Sequence, residues 1–173
     1  MYVMLVNLRK EEIKVFNVGD KIVYPLYGAG VIEAVEDRPS NGTLAFYYVM
    51  DIPVGNLKIT VSAAKSDALG LRPINTRDAV INAINKSEPL KMSSNWTQRY
   101  KDNMNILKSG DLFQIIGVFK TLILRERVRS LSSAEKKLLG TTKQIILTEI
   151  ILALDTDKRS AEEILTSSMP VSA

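Results

Sequence analysis

The chain has 173 residues, with 23 Lys+Arg, 19 Asp+Glu, no cysteine and no histidine, for a net charge of +4 at neutral pH. Without cysteine there is no disulfide, thiolate metal site or cysteine nucleophile, and without histidine the usual neutral-pH general base and the commonest zinc ligand are missing. Hydrophobic content of 46% is that of a globular protein, no apolar run approaches the ~20 residues of a membrane span, and Met1–Leu8 is too short for a secretory signal.

These absences favour a binding protein without cofactor or metal, in the cytoplasm and away from membranes. The charge is unevenly placed. Residues 1–72 carry 8 Lys+Arg and 8 Asp+Glu, residues 73–160 carry 15 against 9, and residues 161–173 add only two glutamates. A neutral first half and a basic second half imply two modules, the second facing a polyanion. A basic face that only interacts with solvent fits the same numbers.

Residues 1–12 precede the first strand signal and read as an N-terminal extension. From 13 to 72 short strands alternate with turn residues. Ile22–Tyr24 leads to a Gly28-Ala29-Gly30 turn and a second strand over Val31–Val35. Ser40-Asn41-Gly42 is a hairpin signal, because Asn-Gly accepts the positive φ of a type I′ turn. Leu44–Met50 is an aromatic and β-branched strand, Pro53 and Gly55-Asn56 break it, and Leu57–Val61 resumes. Five or so strands in so short a span predict a small antiparallel barrel. Gly28-x-Gly30 leads into a strand and lacks a third glycine, so it is not a dinucleotide loop.

After Pro73 the period becomes helical, and residues 73–165 read as an all-α bundle. Asn75 or Thr76 caps a first helix and Asn95 a second, which ends at Gly110. Asp111 caps a third helix reaching about Arg129. Ser132 with Glu135 forms a capping box, and Ser160 with Glu163 repeats the pattern for a short last helix. The Ser-rich residues 166–173 read as a tail. The fold class is therefore α+β, a small barrel followed by helices.

The sole tryptophan, Trp96, falls at the first position of the second helix. It stands four residues before Tyr100, on the line of the stripe Tyr100–Met104–Leu107, which is the spacing of a core residue. Its neighbours support another role. Arg99 and Lys101 can reach phosphates, Asn95 and Gln98 can bond base or sugar edges, and an apolar wedge among polar side chains is a minor-groove device. A second basic group comprises Arg125, Arg127 and Arg129, with Lys136 and Lys137 beyond the Leu131 turn. Cations there also suit a solvated helix end near the C-terminal dipole. Glu11-Glu12, Glu36-Asp37 and Glu162-Glu163 are adjacent pairs that point apart, and no catalytic pair is evident. An enzyme is not expected.

Taken in order, Phe16-Asn17-Val18-Gly19-Asp20, Val23-Tyr24-Pro25, Tyr27-Gly28-Ala29-Gly30, Tyr47-Tyr48-Val49, Leu69-Gly70-Leu71-Arg72, Asn95-Trp96, Arg99-Tyr100-Lys101 and Ser109-Gly110-Asp111 resemble the CarD family of bacterial transcription regulators. The resemblance spans about residues 15–165. It implies a Tudor-like barrel over 13–72 that binds the β subunit of RNA polymerase. It also implies a helical module over 73–165 that meets promoter DNA in the minor groove near the minus-ten element, at the upstream edge of the bubble, and stabilises the open complex. Trp96 would be the wedge and Lys101 a phosphate contact. Arg38, in the loop after the second strand, would face polymerase. Another such basic position falls on Thr60, with Lys58 on the same strand face as a substitute.

One position departs in the DNA module, where Gln98 stands in place of a DNA-contacting arginine. On this reading Asn95, Trp96, Gln98, Arg99, Lys101, Arg125 and Lys136 face DNA, and the protein acts as a monomer in solution. Two rival readings are an architectural DNA-binding protein that needs no polymerase, and a protein–protein adaptor whose basic face only solvates.

Overall fold

The computed structural model describes residues 16–40 and 43–169. The proposed extension 1–12 and the Asn41-Gly42 turn lie outside them. Five strands, β1 (Lys21–Tyr24), β2 (Gly28–Ser40), β3 (Thr43–Ile52), β4 (Leu57–Ser62) and β5 (Arg72–Pro73), form one antiparallel sheet in the order β4-β3-β2-β1-β5. Side chains alternate along each strand, so Ile22, Ile32, Tyr48, Met50, Ile52 and Val61 share one face and pack with Phe16 and Leu71.

The sheet is open rather than closed into the expected barrel. β5 is two residues long and pairs only with β1, so the ladder does not return to β4. Nor are all the strands short. β2 runs 13 residues and β3 runs 10, and their far ends extend past Tyr47, where pairing with β4 stops. The turn lies at Pro25–Tyr27, with Leu26 at φ 74°, and Gly28–Gly30 already belongs to β2. Arg38 likewise lies inside β2, opposite Ala45, and not in a loop.

Five helices follow: α1 (Arg77–Lys86), α2 (Trp96–Ser109), α3 (Leu112–Val128), α4 (Ser133–Leu154) and α5 (Lys158–Ser167). Thr76, Asn95, Asp111 and Ser132 cap the first four through their side chains, satisfying orphan N–H groups of the first turn. Gly110 ends α2 at φ 69°. The last helix starts earlier than expected. Asp157 is its cap, accepting from the Ser160 amide at 2.7 Å, so Ser160 is already in the third helical position. The helix also continues to Ser167, two residues into the expected tail. Val80, Leu107, Ile116, Leu122, Ile146 and Ile150 are among the fully buried centre of the bundle.

The sheet is docked on the bundle, with α4 against β2. Thr148 Oγ1 accepts from the Ala29 amide at 2.9 Å, and a Cβ on Gly28 would run into the same hydroxyl. That close approach explains the glycine. Glu149 is buried and takes two hydrogen bonds from Arg72, at 2.9 and 3.0 Å, and two from Asn75, at 2.9 and 2.8 Å. Arg72 also donates to the Gly110 carbonyl at 2.7 Å. One carboxylate thus joins β5, the entry to α1 and the α2–α3 corner. Among the described residues no helix is long and apolar enough to cross a membrane.

Candidate nucleic-acid interface

The entry to α2 determines what this surface presents. Asn95 accepts from the Gln98 amide at 2.9 Å, and its own amide donates to Ser93 Oγ at 3.2 Å. The first turn carries no acidic residue, so no carboxylate there offsets the positive end of the helix dipole. Trp96 is 48% exposed and belongs to neither core. Its ring stacks on Tyr100, with centroids 5.7 Å apart and planes 13° from parallel. The core spacing noted in the sequence is real, but the stripe runs from solvent inward. Tyr100 is exposed, Met104 half-buried and Leu107 fully buried.

Arg99 turns the opposite way. It is 5% exposed, donating to the Ser93 and Ser94 carbonyls at 2.8 and 3.1 Å and to Glu135 Oε1 at 3.2 and 3.3 Å. The same carboxylate oxygen accepts from Arg125 Nε at 3.1 Å, and Oε2 accepts from the Ser132 amide at 3.0 Å. Burial opposes the negative charge of Glu135, but hydrogen bonds from Ser132 and the Arg99 guanidinium outweigh it and hold the carboxyl below its usual range. A buried charge needs this degree of pairing. Glu135 therefore ties the 93–95 loop, α2, the end of α3 and the start of α4 into one junction.

Arg99 and Arg125 are among the residues expected to face DNA. Both are drawn inward to the carboxylate of Glu135, and Arg125 Nη2 is buried without a partner among the described residues. Gln98 is exposed and donates to Asp102 at 2.6 Å, while Asn95 uses its side-chain oxygen on the cap. Lys101 and Lys136 are exposed. The outward set is Asn95, Trp96, Gln98 and Lys101 on α2, with Lys136 on α4.

Residues 16–75 match the CarD-like/TRCF RID domain, and residues 79–166 match the CarD C-terminal domain. The chain belongs to the CarD family. It is also similar to the Bacillus subtilis (strain 168) protein named "Putative transcription factor YdeB", at 28% identity over 138 residues, covering 78% of this chain and 90% of that protein. The two CarD matches meet at the Thr76 cap, so their seam coincides with the hydrogen bonds around Glu149.

Within the first CarD match, Arg38, Lys58 and Thr60 share the sheet face opposite the core, together with Tyr47 and Val49. Arg38 donates to Glu36 at 2.7 Å and its guanidinium lies 5.2 Å from the Tyr47 ring centroid. Lys58 donates to Glu33 at 2.7 Å, a hydrogen bond that raises its pKa. The roles of Glu135 and Tyr100 emerge only in the structure. Glu135 was legible only as half of a capping box, since Arg99 lies 36 residues away. Tyr100 was assigned to the apolar stripe, although its i, i+4 relation to Trp96 was a signal for the stacked pair.

Proposed function

We propose that the chain is a transcription regulator that holds promoter DNA open while bound to RNA polymerase. The outer face of the sheet, with Arg38, Lys58 and Thr60, docks on the polymerase β subunit. Trp96 enters the minor groove at the upstream edge of the bubble, near the minus-ten element, with Lys101 and Lys136 on phosphates and Asn95 and Gln98 beside the bases. The observation that carries this reading is the exposed Trp96 ring on a braced helix start. A large aromatic outside both cores, on a helix start held by Arg99 and with no acidic residue in its first turn, suits insertion into DNA. Its likeness to a protein named as a transcription factor agrees.

Wedge insertion costs a few kcal/mol in unstacking. It is favourable only where the duplex is already opening, so binding shifts the population toward the open state. The polymerase contact supplies the effective concentration that a modest DNA surface lacks. The two contacts separate in a binding experiment on the full chain. Arg38→Glu is expected to lose retention of polymerase and keep affinity for a forked promoter duplex. Trp96→Ala is expected to do the reverse. Equal loss of both activities in both variants would contradict the assignment.

A further inference from the structure

Beside the Trp96–Tyr100 pair a groove of about 450 Å³ opens between the sheet and the bundle. Tyr100 and Met104 of α2 form one side and Leu26 and Tyr27 of the β1–β2 turn the other, while α4 contributes Ala134 and Lys137 to the lining. Each side offers an exposed tyrosine braced from behind. Tyr100 stacks on Trp96, and Tyr27, 42% exposed, packs against Tyr24 at 4.7 Å between centroids. The turn itself is held in place, because the Tyr27 amide donates to the Tyr24 carbonyl at 3.0 Å and Gln144 donates to the Tyr27 carbonyl at 3.3 Å.

The chemistry of the lining narrows the ligand. Two tyrosine rings and a methionine suit a flat π system. Among the described residues Lys137 is the one charged group in the lining and no carboxylate lines it, which favours a ligand with negative charge. The volume falls within the range of small-ligand pockets, which is ample for one base. Position narrows it further. Tyr100 lies one turn beyond Trp96, about 6 Å along the helix axis, close to two base steps of about 3.4 Å each. A base displaced by Trp96 would meet the groove mouth next.

We propose that this groove receives one nucleobase unstacked from the promoter strand beside Trp96, stacked on Tyr100 or Tyr27 with its phosphate toward Lys137. This rests on the wedge reading above and adds a specific seat for the displaced base. Trp96 would open the step and the groove would keep it from closing.

The test uses the full-length protein and a forked promoter duplex with 5-iodouracil at the first unpaired position. Ultraviolet cross-linking and mapping should place the base on Tyr27 or Tyr100. Tyr27→Ala removes one wall, and Ala134→Phe fills the groove from α4. Each should lower affinity for the forked duplex about tenfold, within the roughly 5- to 150-fold of one base–aromatic stack, and leave affinity for the fully paired duplex unchanged. Circular dichroism checks that each variant folds. If Trp96→Ala weakens forked binding while both groove variants bind and cross-link as wild type, the wedge stands and the groove inference is overturned. Should Trp96→Ala itself have no effect, the parent reading fails with it. Loss of polymerase retention in the groove variants, with forked binding intact, would give the groove to a protein partner and overturn the inference.

Discussion

At the start of α2, residues three apart in the chain differ sharply in exposure. Trp96 faces solvent, whereas Arg99 reaches back to the carbonyls of the loop that carries it. Glu135 makes this possible, and its replacement is the sharpest test of the junction. Glu135→Gln leaves two guanidinium groups short of a counter-charge and is expected to cost about 3–5 kcal/mol, measured by urea denaturation. Its pKa lies below the ordinary carboxyl value in the folded protein. The stabilisation is therefore complete above the ordinary carboxyl range and is lost as pH falls through the lower folded value. Wild type should lose stability more steeply than Glu135→Gln in that acid window, read from denaturation midpoints against pH. Gln98 offers a gain-of-function test, since its side chain is exposed and donates to Asp102. Gln98→Arg should strengthen binding to forked DNA and steepen the log–log salt slope by about 0.9, the value of one added phosphate contact. An unchanged slope would mean that this position does not face the backbone.

The elements were legible where their signals are local. Thr76, Asn95, Asp111 and Ser132 cap helices because a short polar side chain bonds an amide two or three residues on, and that chemistry is visible in sequence. Gly110 ends α2 in the left-handed region for an equally local reason. Gly110→Ala should cost roughly 1–2 kcal/mol of backbone strain with no steric clash, since an added Cβ would meet its nearest atom at 3.6 Å; thermal denaturation would show it. The start of α5 was misread because Ser160 and Glu163 imitate a capping box, while Asp157 competes three residues earlier with a carboxylate. Gly28–Gly30 was misread for another reason. A glycine inside a strand often marks close approach of another element, and that element, Thr148 on α4, lies over a hundred residues away. Arg38 was placed in a loop because Glu36-Asp37 and Pro39 look unlike a strand, yet β2 continues through them opposite β3.

For the molecule as a whole, the split in charge between residues 1–72 and 73–160 implies two modules and says nothing of their union. Glu149, Thr148 and Arg72 carry no pattern that reveals a shared interface, because their partners are 38 to 119 residues distant. The open sheet was hidden for a similar reason, since strand count does not say whether the last strand reaches the first. Docking through a buried carboxylate that accepts four hydrogen bonds couples the two faces of the protein. Glu149→Ala should cost about 3–5 kcal/mol and split one calorimetric transition into two, one per module; a single unshifted transition would refute the coupling. Under the proposed function, that coupling would let docking on polymerase fix where Trp96 sits on DNA. The most direct measurement is therefore the lifetime of the open promoter complex formed by RNA polymerase with wild-type protein or Trp96→Ala, at concentrations that saturate polymerase with either. The wild type should prolong the lifetime and Trp96→Ala should return it toward that of polymerase alone. Equal lifetimes for the two, with polymerase binding equal, would contradict the wedge.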